Sequence, residues 1–153
     1  MKKWMMIAAL ITAFTFSQNA NAQLPVKMGP RAGVNIGDGG DYFVGGHIEV
    51  SLPVLPLTFV PNAEYVFVDN ATNIHTGADV QYTFIGVGVA KLVAGGGYTF
   101  QYAKPKGVDA STNSGFNLQF GAKASLGVSA FGLIRTTNID GSWVKSMVLG
   151  VTF

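Results

Sequence analysis

The chain has 153 residues, with ten basic and eight acidic side chains for a formal charge of +2, no cysteine, 20 glycines and 11 phenylalanines. Lack of cysteine excludes disulfides, thiolate metal sites and a cysteine nucleophile, and no basic patch speaks for nucleic acid. Only 12% of the residues are charged and the mean hydropathy is +0.33, an unusual composition for a domain solvated by water on every side.

Lys2 and Lys3 precede an apolar run from Trp4 to Phe16, and Ala20-Asn21-Ala22 offers small residues at a cleavage position. This is the pattern of a secretory signal peptide over residues 1–22. Thirteen apolar residues at about 1.5 Å rise fall short of the roughly 30 Å hydrocarbon core, which disfavours a helical anchor. The expected mature chain, 23–153, is one domain with eight basic and eight acidic residues. It contains no apolar run of eighteen, whereas alternation of period two recurs along it.

The alternation predicts eight strands. In the first, Val26 to Gly37, the residues Val26, Met28, Pro30, Ala32, Val34 and Ile36 oppose Lys27, Gly29, Arg31, Gly33 and Asn35. The second, Tyr42 to Leu52, sets Tyr42, Val44, Ile48 and Val50 against Gly45, His47, Glu49 and Ser51. The third sets Leu57, Phe59, Ala63, Tyr65 and Phe67 against Thr58, Asn62 and Glu64. Val60 and Val66 blur its polar face, and Pro61 is an uncomfortable strand residue.

The fourth, Ile74 to Phe84, opposes Ile74, Ala78, Val80, Tyr82 and Phe84 to His75, Asp79, Gln81 and Thr83. The fifth, Lys91 to Tyr102, is interrupted by Gly95-Gly96-Gly97, a bend or a site of close packing. The sixth turns Phe116, Leu118, Phe120, Ala122, Ala124 and Leu126 away from Asn117, Gln119, Gly121, Lys123 and Ser125. In the seventh, Val128 to Thr136, Ser129, Phe131, Leu133 and Arg135 are placed inside, because Arg135 in lipid would cost roughly 2–4 kcal/mol at the midplane. The eighth, Trp143 to Phe153, carries Met147, Leu149, Val151 and Phe153 on one face.

Eight alternating segments joined by turns specify an all-β fold, an eight-stranded antiparallel up-and-down transmembrane β-barrel. Both termini are then periplasmic. The outer connections are 38–41, 69–73, 103–114, which is the longest, and 138–142; the inner turns are 53–56, 85–90 and Gly127. Tyr42, Phe67, Tyr102 and Trp143 fall near the outer ends, and Phe59, Phe84 and Phe153 near the inner ends, as interfacial girdles require.

Signal peptide, eight segments, short turns and the final Val151-Thr152-Phe153 resemble the small OmpX/OmpA-like or opacity-type outer-membrane barrels. The resemblance implies that Met147, Leu149, Val151 and Phe153 form an insertion signal read by the barrel-insertion machinery. It implies bacterial outer-membrane lipid and lipopolysaccharide as surroundings, and an envelope-integrity or adhesion-like role without catalysis.

Arg31, Glu49, Glu64, Asp79, Lys123 and Arg135 face inward as three acids and three bases. In a lumen about one side chain wide, such charges are expected to pair. A proton or ion path through them would need a continuous polar lumen, which eight strands do not leave.

His47 and His75 lie on separate strands with no recognisable metal-ligand spacing, so no metal or cofactor is expected. His47, Glu49 and Ser51 share one face, but spacing alone makes no catalytic triad. The alternatives are a lipid A-modifying enzyme, which resemblance to some outer-membrane barrels raises, and a narrow channel or small-solute transporter. Gly86 to Lys91 lacks the full phosphate-loop pattern and precedes a strand. The segment with Lys104, Lys106 and Asp109 is the candidate loop for a surface protein or host ligand.

Overall fold

The computed structural model describes residues 26–37 and 40–153; the expected signal peptide lies outside them. Eight strands form β1 (Val26–Ile36), β2 (Tyr42–Ser51), β3 (Leu57–Val68), β4 (Ala71–Val87), β5 (Ala90–Pro105), β6 (Ser111–Leu126), β7 (Val128–Ile139) and β8 (Ser142–Thr152). Each pairs antiparallel with its neighbours in sequence, and β1 pairs with β8, so the sheet closes without an edge. The closure extends to the last residue. The Phe153 amide donates to Met28 O at 3.0 Å, and the Met28 amide donates to Phe153 O at 3.2 Å.

The period-two pattern becomes an inside and an outside. Met147, Leu149, Val151 and Phe153 face outward, as do Phe116, Leu118 and Phe120 on β6, while Ser146, Val148, Asn117 and Gln119 are buried. Leu118, near the middle of β6, is 57% exposed, a position that water would not reward. Eleven residues of β1, at about 3.3 Å each and a tilt near 40°, rise roughly 28 Å, close to the apolar band of a membrane barrel. The girdle residues Tyr42, Phe67, Tyr102, Trp143, Phe59, Phe84 and Phe153 are all exposed on this outer face.

Four of the seven connections are shorter than the sequence suggested, while 37–41 and 52–56 are each one residue longer and Gly127 is as expected. At one end they are 37–41, 69–70, 106–110 and 140–141; at the other, 52–56, 88–89 and the single residue Gly127. The expected long loop 103–114 contracts to five residues because β5 runs on to Pro105 and β6 starts at Ser111, so Lys104 belongs to a strand. Expected loop 69–73 is a two-residue turn with Asn70 at φ 57°, and 138–142 contracts to Asp140-Gly141, both in the left-handed region. Asp-Gly in that conformation matches the twist of a tight hairpin. The inner turn expected over 85–90 is likewise only 88–89, and a register shift between Thr83 and Ile85 leaves Phe84 and Ile85 both exposed. Polar turn residues in these segments masked the extent of the strands.

Pro61 is accommodated inside β3 at a local cost. The β2–β3 ladder is paired at His47–Asn62 and at Val50–Phe59 but not between them, as expected beside a residue lacking an N–H.

Candidate functional site

The lumen collects nearly every buried polar group, and two charged tiers cross it. In the first, Arg135 from β7 grips Glu64 from β3 with two parallel hydrogen bonds, Nη1 to Oε1 at 2.9 Å and Nη2 to Oε2 at 2.8 Å. Arg31 from β1 brings Nη2 to 2.5 Å from Glu64 Oε1, an ion pair whose angle is poor for a hydrogen bond. The Arg135 guanidinium also lies 5.2 Å from the Phe43 ring centroid. One carboxylate thus stitches β1, β3 and β7 across the barrel, and planar guanidinium geometry suits the bidentate grip.

In the second tier, Lys123 from β6 donates to Glu49 Oε1 from β2 at 2.6 Å. Phe131 lies beneath Lys123 Nζ, 5.8 Å from its centroid, and stands edge-on to the His47 ring at 5.0 Å. Asp79 pairs with neither Arg31 nor Lys123 within 4 Å. Its carboxylate, fully buried, accepts from Asn117 Nδ2 at 2.8 Å and Asn62 Nδ2 at 3.0 Å. Phe43, Val66, Val93, Phe131, Leu133 and Val148 form an apolar cluster among these groups.

Glycines make room for the two lumen rings. Phe43 stands opposite Gly33, and Phe131 opposite Gly150, across adjacent strands. A Cβ at either glycine would overlap the facing ring, so each ring covers backbone that no other side chain shields. Inward Phe43 was missed by the sequence pattern; its position between outward Tyr42 and Val44 is the signal that identifies it.

No triad forms around His47. His47 Nε2 is 3.8 Å from Glu49 Oε1, beyond hydrogen-bond reach, and the Ser51 hydroxyl pairs with Thr58 Oγ1 at 3.3 Å. His75 lies on β4, opposite Glu64 of β3, beside a cavity of about 560 Å³. This cavity opens at the end carrying connectors 37–41 and 140–141, and Arg135 reaches into its floor. Lys106 and Asp109 are exposed in connector 106–110, and Lys104 is exposed at the end of β5. The described residues contain no group of three or more metal-ligating His, Asp or Glu side chains.

The chain superimposes on the N-terminal β-barrel domain of Pseudomonas aeruginosa OprF with a TM-score of 0.64, at 16% identity, over 86% of this chain and 100% of that one. The fold is that of the small outer-membrane barrels. Neisserial surface protein A has the same barrel, with a TM-score of 0.62 at 14% identity over 83% of this chain and 92% of its own. Ail, the attachment invasion locus protein of Yersinia pestis, matches with a TM-score of 0.55 at 10% identity over 83% and 94%. No protein-family model and no curated protein sequence matches the chain. In this eight-stranded barrel the charged tiers occupy the space where a wider barrel has a channel.

Proposed function

We propose that the protein is a non-enzymatic integral component of a bacterial outer membrane, serving envelope integrity, with its termini periplasmic and its polar connectors outside. The observation that carries this reading is a lumen crossed by Arg31–Glu64–Arg135 and by Lys123–Glu49 inside an exterior of exposed Phe, Leu, Val and Tyr. Lipopolysaccharide and outer-membrane lipid then surround the belt, and Met147, Leu149, Val151 and Phe153 serve as the signal to the insertion machinery. Contacts with a surface protein or host ligand fall to Lys104, Lys106 and Asp109. Five-residue connectors keep such contacts small.

The test is reconstitution of the full mature chain in lipid vesicles and planar bilayers. The expected result is a heat-dependent shift in electrophoretic mobility together with no conductance steps. Steps abolished by Arg31→Ala or Arg135→Ala would establish a channel instead. A change in lipid A mass that disappears with His47→Ala or His75→Ala would establish a lipid-modifying enzyme.

A further inference from the structure

The cavity beside connectors 37–41 and 140–141 has a distinctive lining. Its walls carry four carboxamides, from Asn35 on β1, Asn73 on β4, Gln101 on β5 and Asn113 on β6. Three of them are already oriented. Gln101 Nε2 donates to Asn73 Oδ1 at 3.3 Å, and the Ser146 hydroxyl donates to Asn35 Oδ1 at 2.9 Å. Among the described residues these bonds leave the amide nitrogens of Asn35 and Asn73 and the carbonyl oxygen of Gln101 unspent. The wall therefore offers both donors and acceptors.

The floor adds polar atoms that the protein leaves unmatched. Arg135 is 5% exposed and lines the cavity with His75, and among the described residues neither Arg135 Nε nor His75 Nε2, both buried atoms, has a hydrogen-bond partner. The two terminal nitrogens of Arg135 are committed to Glu64, so the floor is not a free cation. At the mouth, Asp41 and Asp140 contribute two carboxylates. An anion entering would meet these acids first and would find the arginine beneath already neutralised.

We propose that this cup binds a neutral sugar unit, of hexose size, presented from the connector side. Vicinal hydroxyls are both donors and acceptors, and carboxamides with flanking carboxylates are complementary to them, while Ile36, Ile139 and Val144 can meet the apolar C–H face of a sugar ring; a wholly apolar ligand would strand the carboxamides. The volume, about 560 Å³, lies within the roughly 300–1,000 Å³ of ordinary small-ligand pockets and is ample for one or two sugar rings. Closure of the lumen beneath makes the cup a blind site rather than a passage. The proposal needs only the barrel and its polar mouth, and stands whether or not the envelope-integrity reading does.

The experiment uses the mature barrel folded in an amine-oxide detergent, which itself carries no sugar. Glucose and N-acetylglucosamine are titrated while the fluorescence of Trp143, a residue lining the mouth, and the heat of binding are followed. Saturable binding in the millimolar range is expected, weakened about tenfold or more in Gln101→Leu and in Asn73→Leu, each still showing the heat-dependent mobility of a folded barrel. The proposal is overturned by a linear, unsaturating response of the folded wild type, by unchanged affinity in both variants, or by sulfate binding in preference to either sugar.

Discussion

Replacing Glu64 by Gln keeps the volume of the side chain and removes its charge, which isolates what the carboxylate does for the two arginines. Glu64 is 2% exposed, and Arg31 and Arg135 are 4% and 5% exposed, so the two guanidinium charges would remain buried with no counter-charge at their centre. Removing one partner of a buried pair costs about 3–5 kcal/mol, which is roughly two to three and a half decades in the folding equilibrium. Asp79→Asn provides an internal scale. Its carboxylate accepts only from neutral amides, so its loss is expected to cost about 1–2 kcal/mol. The assay is urea titration of vesicle-reconstituted protein, with the folded fraction read from gel mobility without heating and the denaturant slope checked for constancy. A Glu64→Gln penalty no larger than that of Asp79→Asn would refute the argument that the triad is a paired charge site.

Leu118→Arg places a charge at the centre of the outward face, and should lower stability in lipid by about 2–4 kcal/mol in the same titration. Gly33→Val and Gly150→Val should each displace the ring opposite, Phe43 or Phe131, at a cost of about 1–3 kcal/mol; pairing Gly33→Val with Phe43→Ala should recover part of it, which a double-mutant cycle measures. Phe153→Ala removes an exposed aromatic while keeping the main-chain bonds to Met28. It should reduce the fraction of protein assembled in the outer membrane of cells more than it lowers stability once folded, as measured by mobility in both settings.

Much of the barrel is legible in the sequence because a closed sheet in lipid enforces alternation at every strand. Arg135 shows the logic: placing it inward also placed Ser129, Phe131 and Leu133 inward, and all four are buried. Strand ends were less legible. Gly, Asn, Ser and Thr at 69–73 and 103–114 have turn chemistry, yet Ala71, Thr72, Ser111 and Thr112 are strand residues, since ladder pairing with a neighbour outweighs weak local preference. Inward direction also says nothing of partner choice. Three acids and three bases suggest three pairs, but the tilt of the strands brings two arginines to Glu64 and leaves Asp79 among amides. The polar cup at the mouth was not visible in the chain at all, because its four carboxamides come from four strands and meet only when the sheet closes.

The brevity of the connectors bears on how such a barrel reaches its final position. Under the proposed orientation, with the termini on the side of entry, the tips of four hairpins have to be carried through the hydrocarbon, and together they comprise only fourteen residues. By sequence they carry six ionisable groups, Asp38, Asp41, Asp69, Lys106, Asp109 and Asp140. Short tips leave little polar backbone to strip of water on the way, so most of the cost of crossing falls on those few ionised side chains, and the seam they leave behind closes between β1 and β8 as far as Met28 and Phe153.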